Sequence, residues 1–315
     1  MPLDPLKQFR TQRRRVYGLV PIAAVFGALT LLGAAQERPS RQPEWRTRTD
    51  AVWVFATVTD KDGRPVPDLP RDDFVVFDDG VEQAITQFTN ERVPVSLGLL
   101  VDMSESMRDR RMEDARAALD RFLGDLLTED DEAFLVAFNH APRLVASWTM
   151  PPASLRGRLD TVIPSGGTAI YDALARAIPE LGRRRHQRAA LVVISDGADT
   201  ASDKTVYQLR GDLRRSDAFV YAIAIEGANE RPSTRVSPDA LRTFTDDTGG
   251  YTAVVKDTAQ LGEETARIAR ELNEQYMIGY AAPRPPDAEY HSIRVRLKRE
   301  GYFVRARRGY MAVRE

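Results

Sequence analysis

Hydrophobic and polar positions change rhythm several times along this chain. From Ala51 to Val58 the pattern alternates and is rich in β-branched and aromatic residues, which predicts a strand. Lys61-Asp62-Gly63-Arg64-Pro65 supplies a turn, Phe74 to Phe77 a second strand, Asp78-Asp79-Gly80 another turn, and Glu82 to Phe88 a third strand. Val95 to Val101 is then an unbroken apolar run, too short for a free-standing helix, and reads as a strand buried on both faces. Met112, Ala115, Leu119, Phe122, Leu123 and Leu126 fall on one helical face, followed by a strand at Ala133 to Phe138 and a hairpin partner at Leu144 to Trp148. Helices are expected at Ala169 to Leu181, Thr205 to Arg215, Pro238 to Thr245 and Gln260 to Glu274. Strands are expected between them at Ala189 to Ile194, Phe219 to Ile225 and Tyr251 to Val255. From Tyr276 the period returns to two, with strands at Tyr276 to Tyr280, Tyr290 to Leu297 and Phe303 to Tyr310.

Strand and helix taking turns over residues 93–275 imply right-handed crossovers and a doubly wound, mostly parallel α/β sheet, with the hairpin as an antiparallel edge. The β segments before and after it, residues 50–92 and 276–315, are each marginal as isolated sheets. They are expected to pair as one small discontinuous β-sandwich into which the α/β domain is inserted. A length of 315 residues and 43% hydrophobic content accommodate both parts.

The first 36 residues carry a different message. Val16 to Gln36 has no charged residue and is long enough to cross a bilayer as a helix. Lys7, Arg10, Arg13, Arg14 and Arg15 precede it, so the flank is expected to stay cytoplasmic and the remainder to be exported. Gly33 and Ala35 occupy the minus-three and minus-one positions of a signal-peptidase site, so a transmembrane anchor and a cleaved signal are both open. Residues 37–49, polar and proline-containing, read as a linker. The net charge of -1 selects no nucleic acid or acidic surface, and the absence of cysteine excludes disulfides, thiolate catalysis and thiolate zinc sites.

Candidate chemistry gathers in three segments. Asp102-Met103-Ser104-Glu105-Ser106 ends the apolar run, Ser165-Gly166-Gly167-Thr168 opens a helix, and Ser195-Asp196-Gly197 closes another apolar strand. All three sit where a strand ends or a helix begins, on the sheet edge where ligands bind in open α/β folds. Carboxylate and hydroxyl oxygens are the donors a hard divalent cation takes. Each residue also has an ordinary structural use: Ser104 or Ser106 as an N-cap, Thr168 as an N-cap, Asp196-Gly197 as a turn.

Together the three segments resemble the metal-ion-dependent adhesion site of von Willebrand factor type A (VWA) domains, across roughly residues 93–275. The flanking segments resemble the von Willebrand-related proteins of acidobacteria, which are exported. The resemblance implies a Rossmann-like VWA fold with Asp102, Ser104, Ser106, Thr168 and Asp196 around the metal, some of them through water. Mg2+ is the expected ion, with Mn2+ or Ca2+ as alternatives. Mg2+ takes six oxygens and this set supplies at most five, so one position is left for an Asp or Glu of a partner protein. The expected function is therefore protein binding outside the cytoplasm rather than catalysis. A metal-dependent hydrolase and a structural assembly module with a vestigial metal site stay open as other classes.

Other residues invite chemistry less strongly. Hydrolysis normally needs a general base, and the chain holds only His140, His186 and His291. His140 is expected in a hairpin turn near the rim of the site. Asp78 and Asp79 read as turn formers beside Gly80. Arg183 to Arg185 with Arg188, and the group Arg294, Arg296, Lys298, Arg299, Arg305, Arg307 and Arg308, could contact phosphates. The alternation of the second group with apolar residues instead predicts the solvated face of a sheet, and no nucleic acid is expected as a partner.

Overall fold

The structure, a computed structural model, describes residues 51–196, 198–226 and 237–312. The charge-free stretch Val16 to Gln36 and the linker at 37–49 lie outside these residues. Among the described residues no helix is long and apolar enough to cross a membrane.

In chain order the strands are β1 (Ala51–Thr59), β2 (Phe74–Asp78), β3 (Val81–Gln83), β4 (Ile85–Thr89), β5 (Val95–Asp102), β6 (Glu132–Phe138), β7 (Pro142–Thr149), β8 (Arg188–Ser195), β9 (Phe219–Ile225), β10 (Thr252–Val255), β11 (Tyr276–Ala281), β12 (Tyr290–Leu297), β13 (Phe303–Ala306) and β14 (Gly309–Met311). The helices are α1 (Arg110–Arg121), α2 (Ile170–Leu181), α3 (Val206–Arg214), α4 (Pro238–Thr248) and α5 (Thr258–Asn273).

The central sheet runs β10-β9-β8-β5-β6-β7, parallel throughout except for the β6–β7 hairpin. Its strands are apolar along their whole length because both faces are covered. Along β5 the side chains alternate between two cores. Leu97, Leu99 and Val101 pack with Met112 and Leu119 of α1 and Leu261 and Ile268 of α5. Leu100 joins the opposite core, with Leu174 of α2, Leu213 of α3 and Phe244 of α4. Gly98 lies between Phe134 and Leu191 in register, and a Cβ there would come within 2.4 Å of the Phe134 ring. A hydrogen at this position lets the Phe134 ring lie over the central strand and pack edge-on against Trp148, centroids 4.7 Å apart. β5 is the first strand of the sheet, and the chain builds outward from it on both sides. Its border with β8 is therefore a topological switch point.

Two four-stranded antiparallel sheets, β13-β1-β11-β4 and β14-β12-β2-β3, share a separate core that includes Val54, Phe74, Val76, Tyr276, Ile278, Tyr280 and Ile293. Each sheet interleaves strands from before and after the α/β part. Two continuous strands expected from the sequence are divided. Glu82 to Phe88 breaks at Ala84, so that β3 and β4 lie in different sheets, and Phe303 to Tyr310 breaks at Arg307-Arg308, separating β13 from β14. A strand that crosses between the layers of a sandwich must leave its ladder at the corner, and an alternating pattern does not mark where.

The helical face ending at Leu126 is also modified. Its last turn, Phe122–Leu126, widens to π geometry. Arg156 packs against Gly124 and donates to the Asp120 carbonyl at 2.9 Å, the acceptor that an α-helix would offer to Gly124.

Candidate functional site

Register places the site. Val101 pairs with Ile194 across the β5–β8 border, so Asp102 emerges beside Ser195 at the carboxyl edge of adjacent strands, with Asp196 next along. The first segment is bonded to each of the other two, and the second to the loop that follows the third. The Ser106 hydroxyl donates to Asp196 Oδ1 at 2.7 Å, and the Ser195 hydroxyl donates to Asp102 Oδ2 at 2.5 Å. The Glu105 N–H donates to the Gly166 carbonyl at 3.0 Å and the Ser165 N–H to the Met103 carbonyl at 2.8 Å. The Thr168 N–H donates to the Thr200 hydroxyl at 3.1 Å, and the Thr168 carbonyl accepts from the N–H groups of Thr200 and Ala201.

Within the first loop, Asp102 Oδ1 accepts from the Ser104 N–H at 2.8 Å, and the Ser104 and Ser106 hydroxyls share a hydrogen bond of 3.0 Å. Asp102, Ser104, Thr168 and Asp196 are buried, whereas Ser106 and Glu105 are exposed in the same loop. Burial pushes the Asp102 carboxyl up to about 7, against the hydrogen bonds from Ser195 and Ser104, and the nearby Asp196 charge adds to the rise. Asp196 has a cation of its own: the Arg111 guanidinium is ion-paired with Oδ2 and also donates to the Ser106 carbonyl at 3.2 Å.

The capping roles open to these residues fall elsewhere. Ser104 precedes the short turn Glu105–Met107 without a side-chain cap bond, α1 begins after Asp109, and α2 begins after Ala169 rather than Thr168. The first turn of α2 is satisfied from outside. Asp199 accepts from the Tyr171 N–H and Ser202 from the Asp172 N–H. By contrast α3, α4 and α5, whose N-termini are not part of this loop cluster, are capped by Thr205, Ser237 and Asp257. The Ser104 and Ser106 hydroxyls are thus turned toward each other and Asp196.

Two further participants lie outside the expected donor set. Ser195 belongs to the third segment, and its position as a polar residue closing an apolar strand is the available signal. Arg111 is hidden in the run Arg108-Asp109-Arg110-Arg111, where nothing separates a site residue from a solvated one. His140, in the β6–β7 turn, packs against Gly166. A Cβ there would lie 2.7 Å from Nδ1, and Gly166 has a φ of +74, so both space and backbone favour glycine at this point. The donors collected here are oxygens, two of them buried carboxylates, with Arg111 a close cation, a set whose chemistry fits a hard divalent ion.

A second cluster lies in the sandwich. Asp78, Asp79 and His291 place ligand atoms within 4.8 Å of one another. The Arg284 guanidinium takes the position between them: it donates to Asp78 Oδ1 at 3.1 Å and Asp79 Oδ2 at 2.5 Å, and contacts His291 Nδ1. This cluster is an ion-pair network closing the connection before β12.

His291 holds the Asp79 carboxyl well below the usual range, with further bonds from Ser292 and Arg284. Burial lowers the imidazole, but bonds to Asp287 and Asp79 outweigh it and raise His291 overall, against the Arg284 charge. A raised histidine contributes stability that is full below its ordinary 6.5 and is lost as pH climbs through the folded value. A depressed aspartate contributes stability that is present above 3.8 and lost on acidification. The melting-temperature gap between the chain and a His291→Gln variant is therefore expected to be widest near pH 5 to 6 and to narrow toward pH 9. Thermal unfolding across that range checks this, and a gap independent of pH would contradict it.

The geometry defines an α/β domain with a cluster of oxygen donors at a topological switch point. Residues 97–198 match the family model of the von Willebrand factor type A domain, and this stretch is such a domain. Among curated relatives, inter-alpha-trypsin inhibitor heavy chain H2 of Mus musculus is 29% identical over 136 residues, covering 39% of this chain and 14% of its own length. Heavy chain H4 of Sus scrofa is 25% identical over 133 residues, again 14% of its length. The chain thus spans about a seventh of the length of these relatives. Among solved structures, a von Willebrand factor type A protein from Catenulispora acidiphila aligns with a TM-score of 0.52 at 15% identity, over 76% of this chain and 73% of that one. Proximal thread matrix protein 1 of the mussel byssus aligns at 0.51 and 14%, over 62% and 50%. At these identities the likeness is one of fold.

Proposed function

We propose that the type A domain is a protein-binding module that captures an acidic side chain of a partner through Mg2+ held by Asp102, Ser104, Ser106, Thr168 and Asp196. The observation that carries this reading is the orientation of the Ser104 and Ser106 hydroxyls toward each other and Asp196, when the ordinary use of such serines would be to cap a helix. When bound, Mg2+ would supply an electrophile with a coordination position to spare for a carboxylate. The loops contribute rigidity: the Glu105–Gly166 and Ser165–Met103 bonds fix the first segment to the second, and the Ser106–Asp196 and Ser195–Asp102 bonds fix it to the third, so little ordering is left to be done on binding. The basic residues ahead of Val16 support a placement of this domain outside the cytoplasm.

The test is capture of a glutamate-bearing peptide by the immobilised full chain. Capture is expected in Mg2+, at least tenfold weaker in chelator, and at least tenfold weaker in a Thr168→Ala variant with Mg2+ present. Capture that is equally strong in chelator would replace this reading with that of a metal-independent assembly module.

A further inference from the structure

The arginines of β12 lie on the solvated face that alternation predicts, whereas Arg305 and Arg307 beyond it are partly buried. The outward side chains of β12, Arg294 and Arg296, are exposed on either side of buried Val295. They line a cleft of about 820 Å³ together with residues of Gly249-Gly250 and of the segment Arg305 to Arg308. That volume lies within the range of about 300–1,000 Å³ usual for ligand sites.

The charge of this cleft is not balanced from within. Arg305 is paired with Glu271 at 2.5 Å and Arg307 with Asp217. Arg308 reaches Asp247 at 3.5 Å, but Asp247 is already shared by Arg210 and Arg214. Arg294 and Arg296 have no carboxylate partner among the described residues, and Asp246 is the one acidic residue in the lining. Exposed cations gathered on a concave surface reinforce each other's field, which favours an incoming oxyanion.

We propose that this cleft is a second binding site, separate from the metal site, for a linear acidic glycan. Arg294 and Arg296 are two residues apart on one strand face, a spacing of about 7 Å, which presents two fork-shaped donors to successive charged groups. The Ser292 hydroxyl and the backbone at Gly249-Gly250 add polar groups suited to sugar hydroxyls. A nucleic acid would need aromatic faces on which bases stack. The one aromatic residue of the lining, Phe77, has Arg296 over its ring at 5.4 Å. Carboxylate and sulfate groups would serve equally as the anion, and the probes distinguish them.

The experiment is titration of the full chain, in chelator, with a sulfated heparin hexasaccharide, an unsulfated uronate hexasaccharide and a single-stranded DNA 12-mer. Binding of at least one glycan is expected, weakening steeply with salt. An Arg294→Gln, Arg296→Gln double variant, both positions being exposed, should lose at least tenfold in affinity, while Asp102→Asn should bind the glycan as the wild type does. Absence of binding by both glycans, an unchanged double variant, or DNA bound as tightly as the better glycan would overturn the proposal. Because chelator is present throughout, failure here is distinguishable from failure of the metal-dependent capture.

Discussion

Asp102→Asn is expected to weaken Mg2+ binding about a hundredfold while leaving the fold intact. The substitution is nearly isosteric, and the amide oxygen can go on accepting from the Ser104 N–H. What is lost is one of two buried carboxylates able to oppose a divalent charge. Breaking a buried charge pairing costs about 3 kcal/mol or more, which corresponds to about two orders of magnitude in affinity. The metal-free melting temperature should not fall, because burial already disfavours the Asp102 charge, as its rise to about 7 reflects. In the wild type, Mg2+ at about a hundred times its dissociation constant should add about 2.7 kcal/mol of stability. The variant should gain almost none at that concentration. Titration calorimetry with thermal unfolding reads both effects, and identical binding heats for the two proteins would remove Asp102 from the metal site.

Arg111 provides the opposite change at the same site. Its guanidinium lies on Asp196, where a second cation would be repelled. Arg111→Gln is expected to tighten Mg2+ about fivefold, the effect of removing a like charge of about 1 kcal/mol at a partly exposed position. A weaker affinity would mean that the arginine holds Asp196 in place rather than competing for it.

The contrast between Asp102 and Arg111 shows what the sequence makes legible. Asp102, Ser104, Ser106 and Asp196 stand out because apolar strands stop at them, and a polar group at the end of a buried strand has few neighbours to choose from. The central sheet is readable for the same reason: the runs of β5, β8 and β9 are covered on both faces and admit no helical period. Arg111 is unreadable because its role depends on a side chain 85 positions away. The π turn at Phe122–Leu126 depends on Arg156, and the strand breaks at Ala84 and Arg307-Arg308 depend on where two sheets meet. Local pattern reports burial well. It does not report which distant partner a polar group meets.

The sandwich offers the largest stability effect. Asp78, fully buried at the end of β2, accepts hydrogen bonds from the Tyr280 hydroxyl at 2.8 Å and the Tyr310 hydroxyl at 3.0 Å, and pairs with Arg284 at 3.1 Å. These three partners come from β11, β14 and the connection before β12, so one carboxylate ties both sheets of the sandwich together. Asp78→Ala would leave two buried hydroxyls without their acceptor and Arg284 with only Asp79 of its two carboxylates. Removing one partner of a buried pair costs about 3–5 kcal/mol, a large share of the roughly 5–15 kcal/mol that holds a domain folded. Asp78→Asn keeps the shape and one acceptor oxygen and is expected to lose about half as much. Urea unfolding should show the midpoint falling in the order wild type, Asn, Ala. Since the sandwich core is separate from the two cores of the type A domain, amide exchange should rise first in β2, β11 and β14. An alanine variant within 1 kcal/mol of wild type would show that the tyrosine hydroxyls and Arg284 find other acceptors, and that Asp78 is not what joins the two sheets.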